Sequence, residues 1–290
     1  MAEKPVLAVI GGSGLYHMPA LKQGKSIEMD TPFGKPSSPI MLGELSGKLV
    51  AFIARHGIGH VHTPSEVNYR ANIYALKSLG VRRLVSVSAC GSLKEELKPG
   101  QIVIPDQLLD FTRGVRARSF FEGGIVAHIS SAEPFCAQLS HSTFTAVRQS
   151  GGEVHQGGTF ITIEGPRFSS KAESQFFRSL DMSIIGMTAS PEAFLAREAE
   201  ICYATMAHVT DYDVWHVSEE PVSVEMVIRT LSKNTALAQK AIEMLVDSLE
   251  EEFDCTCQHA LADAVITPPD RMNVETRRKL AIFLDKYLPT

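Results

Sequence analysis

Cationic side chains are outnumbered in this sequence: 28 Lys+Arg against 33 Asp+Glu leave its 290 residues with a net charge of −5. That balance argues against nucleic acid or an anionic membrane surface as the main partner. No apolar run approaches the length of a membrane span. Met1-Ala2-Glu3-Lys4-Pro5 has no cationic stretch leading into an apolar one, so no secretory signal is read there and a cytoplasmic location is expected. Internal repeats and low-complexity segments are absent. Gly11-Gly12-Ser13-Gly14 lacks both the third glycine of a dinucleotide fingerprint and the Lys-Ser/Thr of a P-loop. The five cysteines are odd in number and lie mostly among apolar residues, which points to reduced, packed thiols rather than a disulfide framework.

What is present is an alternation of strands and helices. With 44% hydrophobic and 21% charged residues, the chain has a globular composition and can bury a sizeable core. Residues 6–10, 38–45, 48–54, 84–88, 101–104, 159–163, 182–187 and 201–209 read as strands. Helical spacing covers 66–79 (with Ser65 or Thr63 as candidate caps), 136–149, 170–180, 222–250 and 274–287. Ser190-Pro191-Glu192 opens another helix, with Ser as N-cap, Pro at the first helical position and Glu at the positive end of the dipole. This order predicts an α/β fold with a twisted, mixed, mostly parallel sheet flanked by helices. The loops are short and none reads as a linker. Residues 1–290 are therefore expected to form a single domain, with the C-terminal helices from 222 to 290 packing on it.

Several strand ends carry chemistry. Thr210-Asp211-Tyr212-Asp213-Val214-Trp215 follows a buried apolar run, where open α/β sheets bind ligands. One protonated and one ionised carboxyl group match adenine, which offers an acceptor at N7 and a donor at its 6-amino group. Gly11-Gly12-Ser13-Gly14 supplies free N–H groups and a hydroxyl that suit a small oxyanion. Arg55, before His56-Gly57, is placed for bidentate contact to phosphate, and His56 can add a donor. Ser88-Ala89-Cys90-Gly91-Ser92 offers small residues and hydroxyls at a third strand end. Phe168 can stack a planar base and Ser169 can bond it, while Glu164 and Arg167 read as a structural pair shaping that loop. Gly186-Met187-Thr188-Ala189 adds a thioether and backbone amides at another turn.

These segments together resemble the trimeric purine nucleoside phosphorylase family. The matching motifs are Val9-Ile10-Gly11-Gly12-Ser13-Gly14-Leu15, Asp30-Thr31-Pro32-Phe33-Gly34-Lys35-Pro36, Ala54-Arg55-His56-Gly57, Pro64-Ser65-Glu66-Val67-Asn68-Tyr69, Ala89-Cys90-Gly91-Ser92-Leu93, Ala132-Glu133-Pro134-Phe135-Cys136, Ile163 to Ser170 and Thr210 to Trp215. The resemblance spans roughly residues 6 to 235. It implies a nucleoside-phosphorylase-like fold and phosphorolysis, in which inorganic phosphate as co-substrate attacks C1′ of a thioribose and adenine leaves. The expected substrate is 5′-methylthioadenosine and the expected products are adenine and 5-methylthioribose 1-phosphate, with no metal and no organic cofactor. Carried over by motif, Ser13, Arg55, His56, Ser88, Ala89 and Thr188 hold phosphate, and Asp211 and Asp213 read the N7/N6 edge. Met187 lies under the sugar, Phe168 and Ser169 flank the base, and Val224, Val227 and a neighbouring subunit's copy of His128 meet the methylthio group. A homotrimer, or a dimer of trimers, is implied. A 6-oxopurine or methylthioinosine phosphorylase is the alternative within the family, and a non-catalytic nucleoside-binding protein the alternative outside it.

Cys255-Thr256-Cys257 stands apart from these roles. The pair could be a redox pair or two ligands of a metal site, but a zinc site normally needs a fourth protein ligand or an open position and looser cysteine spacing, so an exposed pair without metal is the favoured expectation. The resemblance adds that cysteines at comparable positions form disulfides in relatives from hot environments.

Overall fold

The computed structural model describes residues 3–12, 15, 18, 20–216 and 223–288. In chain order its elements are β1 (Leu7–Gly11), β2 (Lys22–Ile27), β3 (Ile40–Leu45), β4 (Lys48–Ala54), α1 (Tyr69–Ser78), β5 (Arg83–Ser92), β6 (Ile102–Ile104), β7 (Gln107–Phe111), α2 (Ala137–Gln149), β8 (Val154–Gln156), β9 (Thr159–Ile163), α3 (Lys171–Ser179), β10 (Ile184–Gly186), α4 (Ala189–Glu198), β11 (Cys202–Asp211), α5 (Val224–Ser248), α6 (Val274–Lys279) and α7 (Ala281–Leu284). β1, β5 and β11 are apolar runs buried along almost their whole length, as strands covered on both faces must be.

The described strands form one sheet in the order β2-β3-β4-β1-β5-β10-β9-β7, while β11 runs beside β5 and carries β6 and then β8. Parallel pairs (β1 with β4 and β5, β5 with β11, β6 with β8, β9 with β7 and β10) outnumber antiparallel ones (β2–β3, β3–β4, β5–β10, β6–β11). The expected mixed, mostly parallel sheet is therefore present. β5 is its spine. Its first residues pair with β1 and β11, and its last, Gly91 and Ser92, turn to β10.

Alternation along the strands splits the core in two. Leu7, Val9, Val85, Val87, Ala204 and Met206 face α2 and α5, where Ala241, Ile242, Leu245 and Val246 have no exposed surface. Ala8, Ile10, Leu84 and Tyr203 face the other side, against α1, α4 and α7. Neither α5 nor its cap brings a cation to its last turn; Lys48 of β4 does so, its Nζ donating to the carbonyls of Val246, Asp247 and Leu249 at 3.0, 2.8 and 2.6 Å. A cation there suits the negative end of the helix dipole and fixes α5 to the sheet.

Some elements differ from expectation. α1 begins at Tyr69 rather than residue 66, because Asn68 caps it by accepting from the Ala71 N–H at 3.1 Å. Thr63 and Glu66 instead bond each other in a separate turn. The last helix is two, meeting at the buried Leu280. β2, β7 and β8 carry no readable alternation; β2 is almost wholly exposed. The expectation of an exposed Cys255–Cys257 pair is overturned: both are buried, beside Cys136 and Cys202, and all four are free thiols. Among the described residues, no helix is long and apolar enough to cross a membrane.

Candidate active site

The carboxyl ends of β1, β4, β5 and β11 lie side by side, so residues far apart in sequence share one edge. Arg55, the residue after β4, turns its guanidinium back beneath that edge and is buried. Its Nε and Nη2 each donate to Glu192 at 2.8 Å, Nη2 also reaches Ser86 Oγ at 2.6 Å, and Nη1 reaches the Val87 carbonyl at 3.3 Å. Glu192 has no exposed surface, sits in the first turn of α4 and also accepts from the Tyr203 hydroxyl. The fork expected to grip phosphate is thus occupied by Glu192, and one Nη1 hydrogen has no acceptor among the described residues. With Nε and Nη2 both bonded to Glu192, Arg55 has no free fork for a bidentate clamp.

The other expected anion ligands include residues of β5, of the turn before α4 and of the turn after Arg55. Ser88 Oγ lies 3.1 Å from Ser86 Oγ, which Arg55 already holds. Ala89 follows on β5, half-exposed at the strand's turn toward β10. Thr188 precedes α4, and its hydroxyl makes no cap bond, so it remains available. His56 Nδ1 lies 2.9 Å from the His62 carbonyl and must carry the proton of that bond. Burial, joined by the Arg55 charge, pushes its imidazole down to about 4. The neutral ring therefore presents Nε2 as an acceptor, not the donor expected from sequence. It suits a phosphate oxygen that still carries a proton. Ser13 lies outside the described residues.

Asp211 closes β11 at a bulge between Val209 and Asp211, a distortion that re-aims side chains at strand ends. Its Oδ2 accepts from the Thr210 hydroxyl at 2.6 Å and its Oδ1 from the Asp213 N–H at 2.8 Å. Burial, with a smaller push from the charge of Asp213, raises its carboxyl to about 6. Asp213 adopts φ 52°, a left-handed conformation that Asp and Asn tolerate best among side-chain-bearing residues. Burial raises its carboxyl as well, against the nearby hydroxyls of Ser174 and Ser169. None of these three reaches hydrogen-bonding geometry: Asp213 Oδ2, Ser169 Oγ and Ser174 Oγ are buried and unpartnered among the described residues. Such oxygens are costly unless a ligand completes them.

Gly91 makes the aspartate pair possible. A Cβ there would stand 3.0 Å from Asp211 Oδ1, 3.1 Å from Ile185 Cγ2 and 3.2 Å from Asp213 Cβ. We expect Gly91→Ala to cost about 1–3 kcal/mol of stability by overpacking. Its kcat/KM should fall further than a distant variant of equal stability does. Parallel denaturation and kinetics check this, and equal losses in both variants would remove the steric argument.

Met187 follows β10, and its Sδ lies under the Gly165 loop, where a Cβ at Gly165 would come within 2.6 Å of it. Sequence reasoning missed the residue that fixes this region. Buried Arg116 donates to the carbonyls of Met187, Ser190 and Glu164 at 2.6, 2.8 and 2.6 Å and pairs with the Glu164 carboxylate at 3.2 Å. The expected Glu164–Arg167 pair does not form; Arg167 bonds Glu173 at the surface. Nothing in the sequence around Arg116 marks it, whereas Ser86 could have been found from its alternation with Ser88 along β5. Phe168 is half-buried beside Ser169. Val224 is exposed and Val227 partly so, on the first turn of α5. His128 is exposed on a loop held by the Ala127–Val265 bridge and by its own N–H to the Ala264 carbonyl, and is left uncovered by the described residues.

The site has close counterparts. Residues 6–247 match the model of the phosphorylase superfamily. An S-methyl-5′-thioadenosine phosphorylase of Chloroflexus aurantiacus is 52% identical over 97% of this chain and 98% of its own. One from Geobacter sulfurreducens is 50% identical over 98% and 99%. The crystal structure of a methylthioadenosine phosphorylase from an antarctic soil metagenomic library superposes with a TM-score of 0.92, at 49% identity over 97% of this chain and 99% of that one. The Schistosoma mansoni methylthioadenosine phosphorylase in complex with adenine gives 0.80 at 37% identity, over 84% and 91%. A match over that length, in sequence and in fold, means that this chain belongs to the phosphorylase superfamily.

Proposed function

We propose that this chain is an enzyme, a pentosyltransferase that cleaves 5′-methylthioadenosine with inorganic phosphate to adenine and 5-methylthioribose 1-phosphate, a step of purine and methionine salvage. The observation that carries the reading is the buried Asp211–Asp213 pair. Asp211 is raised to about 6, so a fraction of it still holds a proton near neutrality, while Asp213 Oδ2 has no donor among the described residues. In the reaction the C1′–N9 bond breaks, its electron pair passes into the purine, and positive charge builds on the sugar. Asp211 gives a proton or a strong hydrogen bond to N7, and Asp213 Oδ2 accepts from the 6-amino group. Phosphate, held by Arg55, Ser88, Ala89, Thr188 and Ser13 and by His56 through its proton, forms the new bond at C1′. Met187 lies beneath the sugar, Phe168 and Ser169 flank the base, and Val224 and Val227 cover the methylthio end. A 6-oxopurine would set its carbonyl against the unpartnered Asp213 oxygen, two acceptors facing each other. That clash favours the aminopurine over inosine-type substrates.

Product analysis with and without phosphate tests the reaction. Adenine should appear only with phosphate, alongside a sugar phosphate; release in its absence makes the enzyme a hydrolase and overturns the reading. Tight binding without turnover at saturating phosphate would point instead to a binding protein.

The same reading includes a homotrimer in which His128 completes a neighbour's pocket. It is supported by the exposure of His128 and of the apolar Val126 and Ile266, which a backbone hydrogen bond holds side by side, since adjoining exposed apolar side chains mark interfaces. It also treats residues 1–290 as one folded unit, supported by the α5 side chains within the core under the sheet. Dilution to nanomolar protein should lower specific activity as the assembly dissociates. A monomer with full activity would rule out a shared site.

A further inference from the structure

We infer that Cys136, Cys202, Cys255 and Cys257 form a tetrathiolate site for a single soft divalent metal ion, zinc by preference, which is structural and separate from the nucleoside site. The four sulfurs come from three separate parts of the chain and lie within 4.8 Å of one another, all buried. Cys136 Sγ and Cys255 Sγ are 3.7 Å apart. A tetrahedron of Zn–S bonds of about 2.3 Å has sulfur–sulfur edges of about 3.8 Å, so this spacing fits one ion at the centre. Bridging sulfides would spread the thiolates further, which argues against an iron–sulfur cluster. The tight Cys255-Thr256-Cys257 spacing is compatible with chelation because the chain bends from the extended Cys255 into a 3-10 turn over Thr256–His259, and both sulfurs lie within the cluster.

The surroundings are those of thiolates. Cys136 is the N-cap of α2 and accepts from the Leu139 N–H at 3.5 Å, at the positive end of that helix. Arg197 Nη1 reaches Cys257 Sγ at 3.3 Å. Arg83, buried on β5, faces Cys202, Cys136 and Cys255. Four thiolates and one divalent cation carry two net negative charges, and these two guanidinium groups balance them in an otherwise apolar core. Loading replaces four thiol protons, released to solvent, with four metal–sulfur bonds, and no oxidant is needed. The ion would tie the start of α2, the first residue of β11 and the segment after α5 together. Cys202 and Asp211 are the two ends of β11, about 30 Å apart for a ten-residue strand, so the ion is remote from the reacting atoms.

The test uses the full chain, expressed with added zinc and purified under reducing conditions without chelator. Elemental analysis should find about one zinc per chain, displaced on mercurial titration of the thiols. Exchange with cobalt(II) should give the visible absorption of a tetrahedral tetrathiolate complex. Cys257→Ser should lose the metal and melt at lower temperature, with turnover at moderate temperature unchanged. Reduced wild-type protein that holds no zinc or cobalt with all five thiols titratable, or protein in which these cysteines are paired as disulfides, overturns the site. Those wild-type measurements decide the matter even where the variant fails to fold.

Discussion

Asp211→Asn should lower kcat/KM for 5′-methylthioadenosine by about 10²–10⁴-fold, the usual worth of a positioned general acid. The fold should tolerate the change. An Asn oxygen can still accept from the Asp213 N–H, and the Thr210 hydroxyl can turn to accept from the new amide. The amide can bond N7 but cannot deliver a proton. Losses should be smaller for 6-oxopurine nucleosides, and an unchanged ratio between the two substrate classes would remove Asp211 from base recognition. pH separates the roles further. With Asp211 at about 6, its protonated fraction falls as pH rises above that value, so wild-type kcat/KM should decline on the alkaline side and the Asn variant should lack that limb. Stability carries the opposite sign. A carboxyl raised from 3.8 to about 6 favours the fold fully below pH 4 and loses that contribution as pH rises through 6. Asp211→Asn should therefore melt higher than wild type at pH 8, with the gap closing toward pH 4.

Arg55→Met should be the most destabilising single change at the site. It leaves the wholly buried Glu192 carboxylate with Tyr203 as its remaining donor, and breaking such a pair costs about 3–5 kcal/mol. Combining it with Glu192→Met removes both charges together and should recover most of that loss. The double variant should still fail to bind phosphate, because the fixed positive charge under the pocket is gone. Urea denaturation and the KM for phosphate, measured on both variants, separate scaffold from site. A double variant with near-normal phosphate affinity would show that Arg55 serves the fold alone.

The candidate site residues are legible where an apolar run gives way to a polar residue: Arg55 after β4, Ser88 within β5 and Asp211 at the end of β11. What escaped were partners supplied across the fold. Glu192 reads as a helix-opening acid, yet its role depends on Arg55, 137 residues earlier. Arg116 sits in a stretch without regular periodicity, and its importance comes from three carbonyls that converge on it only in the folded chain. The cysteines show the same limit more sharply. Cys255-Thr256-Cys257 looks like an isolated pair because Cys136, whose sulfur lies 3.7 Å from that of Cys255, is 119 residues away in the chain. Secondary structure was misread where polar composition hides a strand, as in β2, or where a capping signal belongs to a neighbouring turn, as at Thr63 and Glu66.

The left-handed backbone at Asp213 bears on how substrate preference can change over evolutionary time. Most residues would strain at φ 52°, so the set of replacements open to natural variation at this position is small. Asparagine belongs to that set, fits nearly the same volume, and exchanges an acceptor for a donor facing the purine 6-position. Aspartate and asparagine codons differ by a single base. The backbone at Asp213, the proposed adenine reader, therefore leaves open a short mutational route to a 6-oxopurine enzyme while closing most others.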